Sequence, residues 1–264
     1  CPSSNEGFWN VIFMNNAGPP FDDVRVRQAA SMAIDRQVLK DLFMGGTGLN
    51  KGILAPGIQG YIAATELSDL ATEVLSYNPE RAKELMAEAG YPDGFDTQVN
   101  YTGTYPFPAV SFAEAEADML TQVGIRTKVN LMERARWLQT VVQADYPIGE
   151  MGMSSGFLYG AETGMGLNQF YSEAGSSNRS IVKDPEYDAL YLAYRRATDP
   201  AVRDQLSRDM QVMAVEKAYR IFLFSTERIL AGQPGLSGVH CCPSQTTSFG
   251  ILFENAWWED PSKR

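Results

Sequence analysis

Two short alternating segments, "TQVNYTG" (97–103) and "RTKVNLM" (126–132), flank a helical stretch from about Phe112 to Val123 that stops at Gly124. Val99 and Tyr101 fall on one side of the first segment, Val129 and Leu131 on one side of the second. Two parallel strands need a crossover of about a dozen residues or more, usually a helix, because no tight turn can join them. The unit therefore reads as βαβ. It commits the chain to layered α/β architecture with a mixed or parallel sheet.

The remaining pattern fits that architecture. In "YNPERAKELMAEAGYPDGF" Asn78 caps a helix, Pro79 takes its first position and Glu80 suits the positive end of the dipole. Ala82, Leu85, Met86 and Ala89 form its apolar face, and Gly90 with Pro92 ends it. Asp184-Pro185 and Asp199-Pro200 open two more helices, the first with Tyr187, Leu190, Tyr191 and Tyr194 on one face. "FWNVIFMN" (8–15), residues 147–154 and "RIFLF" (220–224) read as strands. After the Gly18-Pro19-Pro20 break, Asp22 or Asp23 caps a helix that buries Val26, Ala29, Ala30 and Ala33. Asp35 caps the next, which stops at Gly45-Gly46. A further helix is expected near 134–144, and residues 45–76 look loop-like. There is no internal repeat.

With 264 residues and 44% apolar content, the chain can bury a sizeable core. No apolar run approaches the roughly 20 residues of a membrane helix. "CPSSNEGFWNVIF" has neither a basic start nor a small-residue cleavage site, as expected of a chain without a leader or of a piece whose leader lies elsewhere. The net charge of −10 disfavours nucleic acid and anionic membrane surfaces, both of which need a basic stripe. Three cysteines, two of them adjacent, do not form a disulfide framework.

Catalytic signals are weak. His240-Cys241-Cys242 offers metal-ligating types, but three consecutive residues cannot easily converge on one tetrahedron, and a turn before Pro243 is the simpler reading. "GGTG" (45–48) follows a helix, so it reads as a helix stop rather than a phosphate cradle. Asp22-Asp23 and Glu259-Asp260 sit at a cap and in the tail. No metal or cofactor is expected. Residues 134–159 are richer, with Arg134, Arg136, Trp137, Tyr146, Phe157 and Tyr159 among glycines and serines. Aromatic walls with a few fixed polar groups suit a small-molecule cleft.

Four segments carry a resemblance: "NNAGPPFDDVRVRQAASMAIDR", "YNPERAKELMAEAGYPDGF", "LTQVGIRTKVNLMERARWLQTV" and "YDALYLAYRRATDPAVRDQLSRDMQVMAVEKAYRIFLF". In this order they resemble the extracytoplasmic solute-binding proteins of ABC importers, family 5, the peptide/nickel class. The resemblance implies the second lobe of a type II periplasmic-binding-protein-like fold, a mixed sheet flanked by helices. It implies a C-terminal fragment: residues 1–16 as a hinge strand, 17–225 as the ligand-clamping lobe, and 226–264 as a tail completing a first lobe. The implied role is non-enzymatic capture of a small solute (peptide, opine or sugar-like) and delivery to an ABC permease, in the periplasm or on the outer face of the cell membrane. The charges around Asp22, Asp23, Arg25 and Arg27 then serve capping and pairing just past a hinge.

Candidate ligand contacts are Asn15 and Asn16 near the hinge, Tyr101 and Thr104 at a strand end, Arg134, Arg136 and Trp137 at a helix start, and Ser154, Ser155, Phe157 and Tyr159. Peptide-binding members carry Glu-Trp where this chain has Glu133-Arg134. They also carry Gly-Trp-x-x-Asp where it has "GMSSGFLYG", with Met153 for Trp and Gly156 for the Asp that pairs with a peptide's ammonium. A buried ammonium without a carboxylate is costly, so a free-amino-terminus peptide is disfavoured unless the absent lobe, Glu150 or Glu162 compensates. Arg134 instead favours an anionic or sugar-like ligand. The tail, with Leu252, Phe253, Trp257 and Trp258, is expected to pack on a second copy or fold back. The rival reading is a hydrolase or lyase with opposed carboxylates in a cleft; a sensor or chaperone on the same lobe is a third.

Overall fold

The computed structural model describes residues 9–43, 45–46, 49–50, 53–54, 59–104, 109–157 and 163–225, and the pairs 236–237, 240–241, 251–252 and 257–258. Strand β1 (Trp9–Met14) runs through the middle of the sheet. Its Ile12 and Met14 face one apolar core, its Val11 and Phe13 another. Both faces are covered, which is why the run is apolar without alternation.

Past the cis Pro19–Pro20 bond come α1 (Val24–Met32) and α2 (Arg36–Phe43). Both expected caps form: Asp23 accepts the Arg25 N–H at 2.8 Å, and Asp35 accepts those of Gln37 and Val38 at 3.0 Å. Gly46 returns its N–H to Lys40 O, a helix stop. Strand β2 (Leu49–Asn50) follows. The span 45–76, expected to be loop, holds a 3₁₀ turn (Ala64–Glu66) and a helix, α3 (Asp69–Leu75), capped by Ser68. Ser68 Oγ also donates to Glu216 at 2.6 Å, which fastens this short helix to a distant one. Helix α4 (Pro79–Glu88) is capped by Asn78 and packs on α1. The Asn78 N–H reaches Met32 O at 2.9 Å, and Arg25 Nη1 reaches Glu88 O at 2.6 Å.

The βαβ unit forms as read: β3 (Phe95–Tyr101), α5 (Ala109–Gln122) and β4 (Ile125–Leu131), with β3 and β4 parallel in unbroken register. Val99 and Tyr101 join Phe112 of α5 in the core. Asn100 and Asn130 pair on the other face at 2.7 Å. The helix expected near 134–144 is one α turn, α6 (Arg134–Trp137), and then a wider π segment (Leu138–Val142). Val141 of that segment lies where a Cβ on Gly152 would come within 2.8 Å of it, so glycine allows the close approach. Strand β5 (Met151–Phe157) starts later than expected and is followed by α7 (Thr163–Asn168).

Helices α8 (Pro185–Arg196) and α9 (Pro200–Glu216) start at their Asp-Pro signals and enclose a second core. Three tyrosines of α8 are buried there, and each hydroxyl is bonded. Tyr187 donates to Leu167 O at 2.8 Å, Tyr191 to Asn168 Oδ1 at 2.9 Å, and Tyr194 accepts from Arg203 at 3.0 Å. An unbonded buried hydroxyl would cost about 1–3 kcal/mol. Strand β6 (Arg220–Ser225) completes a six-stranded sheet in the order β2-β6-β1-β5-β3-β4. Strands β3, β4, β5 and β6 point one way, β1 and β2 the other. The sheet is therefore mixed.

Two small pairs lie in the tail: β7 (Leu236–Ser237) with β10 (Trp257–Trp258), and β8 (His240–Cys241) with β9 (Ile251–Leu252). His240 and Cys241 thus sit in a strand pair rather than a turn; Cys242, Phe253 and Glu259-Asp260 lie outside the described residues.

Candidate functional site

Four strands of one direction end at one edge, and in such sheets the crevice beyond the carboxyl ends is where ligands bind. At this edge Met132 N–H donates to Tyr101 O at 2.7 Å, tying the ends of β3 and β4 together. The next residues turn into α6. Glu133 caps it, its Oε2 accepting the N–H of Ala135 at 2.9 Å and of Arg136 at 3.4 Å. Trp137 anchors the turn from behind: it is 1% exposed and packs with Val11, Phe13, Val141 and Tyr146. Arg134 stays exposed, and its Nη1 donates to Thr104 Oγ1 at 3.3 Å. Thr104 in turn shares a 3.2 Å hydrogen bond with buried Thr102. Leu131 and Leu138 expose apolar surface beside this clasp.

The expected site residues divide. Thr104, Arg134 and Arg136 are displayed at this edge, and Ser154, Ser155 and Phe157 occupy the half of β5 that leads to it, opposite Val11, Asn10 and Trp9. Tyr101 and Trp137 belong to the same neighbourhood but are buried in the cores beneath. Asn15 and Asn16 are elsewhere, at the far end of β1, where Met14 faces Met151 at the start of β5. Their amides are engaged within the fold: Asn15 Nδ2 donates to Tyr146 O at 2.9 Å, and Asn16 Nδ2 to Ser180 O at 2.7 Å and Tyr219 O at 3.0 Å. Tyr159 and Glu162 lie outside the described residues.

Glu150 sits at that far end too. Its Oε2 accepts from Asn100 Nδ2 at 2.7 Å. Six residues of extended strand, about 20 Å, separate it from Gly156, too far to replace a carboxylate there. Beside Glu150 a groove of about 550 Å³ opens between Tyr91, Phe95, Gln98, Lys128, Ile148 and the Pro19–Pro20 turn. No local pattern points to this groove, because its walls come from four separated segments.

The charged cluster after the break is structural. Asp23 pairs with Arg25 at 2.5 Å, and the Arg25 hydrogen bond holds its carboxyl below the usual carboxylate range. Arg27 is buried and donates to Phe21 O, Asp22 O and Lys217 O. Burial pulls its pKa down to about 10. Arg220 is more deeply enclosed: it lies 4.2 Å from the Phe170 ring and donates to Gln169 at 2.6 Å, and burial lowers it to about 9. Arg27 reads as a pairing charge, but its burial and that of Arg220 have no local signal in the sequence, since arginine normally signals solvent.

Comparison with known proteins gives this architecture its class. The fold matches a dipeptide-binding protein from Pseudoalteromonas sp. SM9913, solved with Met-Leu, at a TM-score of 0.78 and 22% identity, covering 97% of this chain and 49% of that one. The profile of the bacterial extracellular solute-binding proteins, family 5, matches residues 2–178, and the chain belongs to that family. Among curated relatives, heme-binding protein A of Haemophilus influenzae is 30% identical over 212 residues, 78% of this chain and 37% of the relative. The glutathione-binding protein GsiB of Salmonella paratyphi A is 25% identical over 249 residues, 90% of this chain and 46% of the relative. The chain thus spans less than half the length of these curated relatives. No described helix is long and apolar enough to cross a membrane.

Proposed function

We propose that this chain forms one lobe of the substrate-binding component of an ABC importer. The lobe clamps a peptide or related small solute against a second lobe, outside the cytoplasm, and the closed form hands it to a membrane permease. The observation that carries this reading is the family match over residues 2–178. Binding energy is spent on the difference between open and closed states, not on bond-breaking. Thr104, Arg134, Arg136 and the strand 154–157 supply contacts, while Tyr101 and Trp137 hold the edge rigid. Asn15 and Asn16 stabilise the strand on which the lobe is built. A hydrolase or lyase would need opposed acids at this edge, and Glu133, the carboxylate at the start of α6, is committed to capping.

Isothermal titration of the two-lobed protein that contains this lobe, with glutathione, Met-Leu and longer peptides, tests the proposal. Micromolar or tighter binding of one of these, with no turnover of the bound solute, is the expected result. Cleavage of the solute, or no binding across the panel, would overturn it.

A further inference from the structure

We infer that Arg134, clasped by Thr104, is the seat of a carboxylate on the solute, so that this lobe selects acids over their neutral derivatives; the inference rests on the importer reading above. Five observations converge on it. The Arg134 guanidinium makes one hydrogen bond, to Thr104 Oγ1, and among the described residues its other N–H groups have no protein acceptor. The adjacent carboxylate is engaged elsewhere, with Glu133 Oε2 turned back onto the N–H groups of Ala135 and Arg136. The backbone that carries Arg134 is fixed by buried Trp137 and by the bond from Met132 N–H to Tyr101 O. Gly156 of β5 offers no carboxylate to an ammonium, and Glu150 is held by Asn100 at the other end of the strand. Finally, Leu131 and Leu138 are 52% and 39% exposed beside the clasp, a surface suited to the apolar part of an amphiphilic acid.

A planar guanidinium presents parallel N–H donors that match both oxygens of a carboxylate, and pre-positioning reduces the entropy lost on binding. Thr104 is a positioning residue. Its hydroxyl occupies one Nη1 donor and sets the plane of the fork. Arg136, also exposed on α6, adds positive potential in a chain whose net charge is −10. An acidic protein otherwise repels anionic solutes, so a local cationic pair is what a carboxylate needs to approach it.

The test uses two matched pairs of probes with blocked amino groups, N-acetyl-Met-Leu against its C-terminal amide and N-acetyl-glutathione against its dimethyl ester, titrated into the wild-type protein, Arg134→Met, Arg134→Lys and Thr104→Val. Arg134 is exposed, so the variants should melt with the wild type, and a thermal scan checks this. The acids should lose about tenfold or more in affinity on Arg134→Met, as expected for a charged hydrogen bond, while the neutral partners change less than about twofold. Arg134→Lys should restore part of the loss and Thr104→Val should reproduce part of it. Equal binding of acid and neutral forms to the wild type, or an unchanged acid affinity in Arg134→Met, would overturn the inference and leave the importer reading standing. Failure of every probe to bind the wild type would overturn both.

Discussion

The carbonyl of Gly124 lies directly against Gly94: the N–H of Phe95 donates to it at 3.0 Å, and a Cβ on Gly94 would overlap it. Both glycines also have positive φ, +70° and +92°. The turn that starts β3 and the turn that starts β4 are therefore in backbone contact, which sets the parallel register at its first pair, Phe95 with Ile125. Gly94→Ala adds a left-handed strain and a clash with backbone that has no flexible end to move. We expect a loss of about 2–4 kcal/mol, read from urea unfolding. Gly90→Ala is the control. It shares a positive φ but has open space around it, so it should cost only about 1 kcal/mol.

Glu116 of α5 is 1% exposed, and among the described residues neither carboxyl oxygen has a hydrogen-bond partner. Burial pushes its pKa well above the usual carboxylate range, and the Arg36 charge offsets this in part. Below the unfolded value near 4.5 both folded and unfolded chains carry the proton, and the group has no pH-linked effect. As pH rises beyond that, the unfolded chain ionises while the folded one resists, so stability falls until the folded pKa is passed. Glu116→Met should stabilise the protein by about 1–3 kcal/mol at pH 8 and by less at pH 4. Denaturant melts at the two values decide it. An equal gain at both would show that the folded carboxyl titrates normally.

What could be read from sequence was whatever is local. Asn78, Asp184 and Asp199 cap at the residue expected because a side-chain oxygen and a following proline act within one turn. The βαβ crossover was legible because period 2, then 3.6, then 2 has few other solutions. Helix α3 was not: with seven residues and only Ala71 and Val74 buried, it is too short to show a period, and it gains order from Ser68 meeting Glu216. At the candidate site, Arg134 and Thr104 could be named separately but not joined, since their clasp depends on how β3 and β4 align. Trp137 and Tyr101 show the opposite limit. An aromatic ring reads the same whether it lines a cleft or supports one, and burial decides.

Asp184 does three things at once. It caps α8 through the N–H of Glu186 at 3.0 Å, accepts Lys217 Nζ at 2.7 Å and accepts the Tyr219 hydroxyl at 2.7 Å. Burial tends to raise its pKa, but the hydrogen bonds from Lys217 and Tyr219 outweigh this and hold it below 3.8. The stabilisation is therefore present above the unfolded value and is lost only as pH falls through the lower, folded one. Asp184→Asn keeps a capping oxygen but removes the charge, and should cost about 1–2 kcal/mol at pH 7. The penalty should shrink as pH falls through the lowered folded value, where the wild-type carboxyl itself takes up the proton. A pH series of thermal melts on both proteins follows this difference.

Trp137 links stability to recognition. Its ring fills the small core under the sheet edge with Val11, Phe13, Val141 and Tyr146, and its backbone N–H closes the turn onto Glu133 O at 2.9 Å. Trp137→Ala should destabilise the protein by about 3–5 kcal/mol through the cavity it leaves. Trp137→Phe retains much of the volume and should cost less, about 1–2 kcal/mol. If the ring's task is to hold α6 while Arg134 faces solvent, Trp137→Phe will weaken acidic and neutral solutes alike, whereas Arg134→Met weakens the acids alone. Calorimetry on the two variants with N-acetyl-Met-Leu and its amide separates a wall that supports the site from a charge that reads the solute.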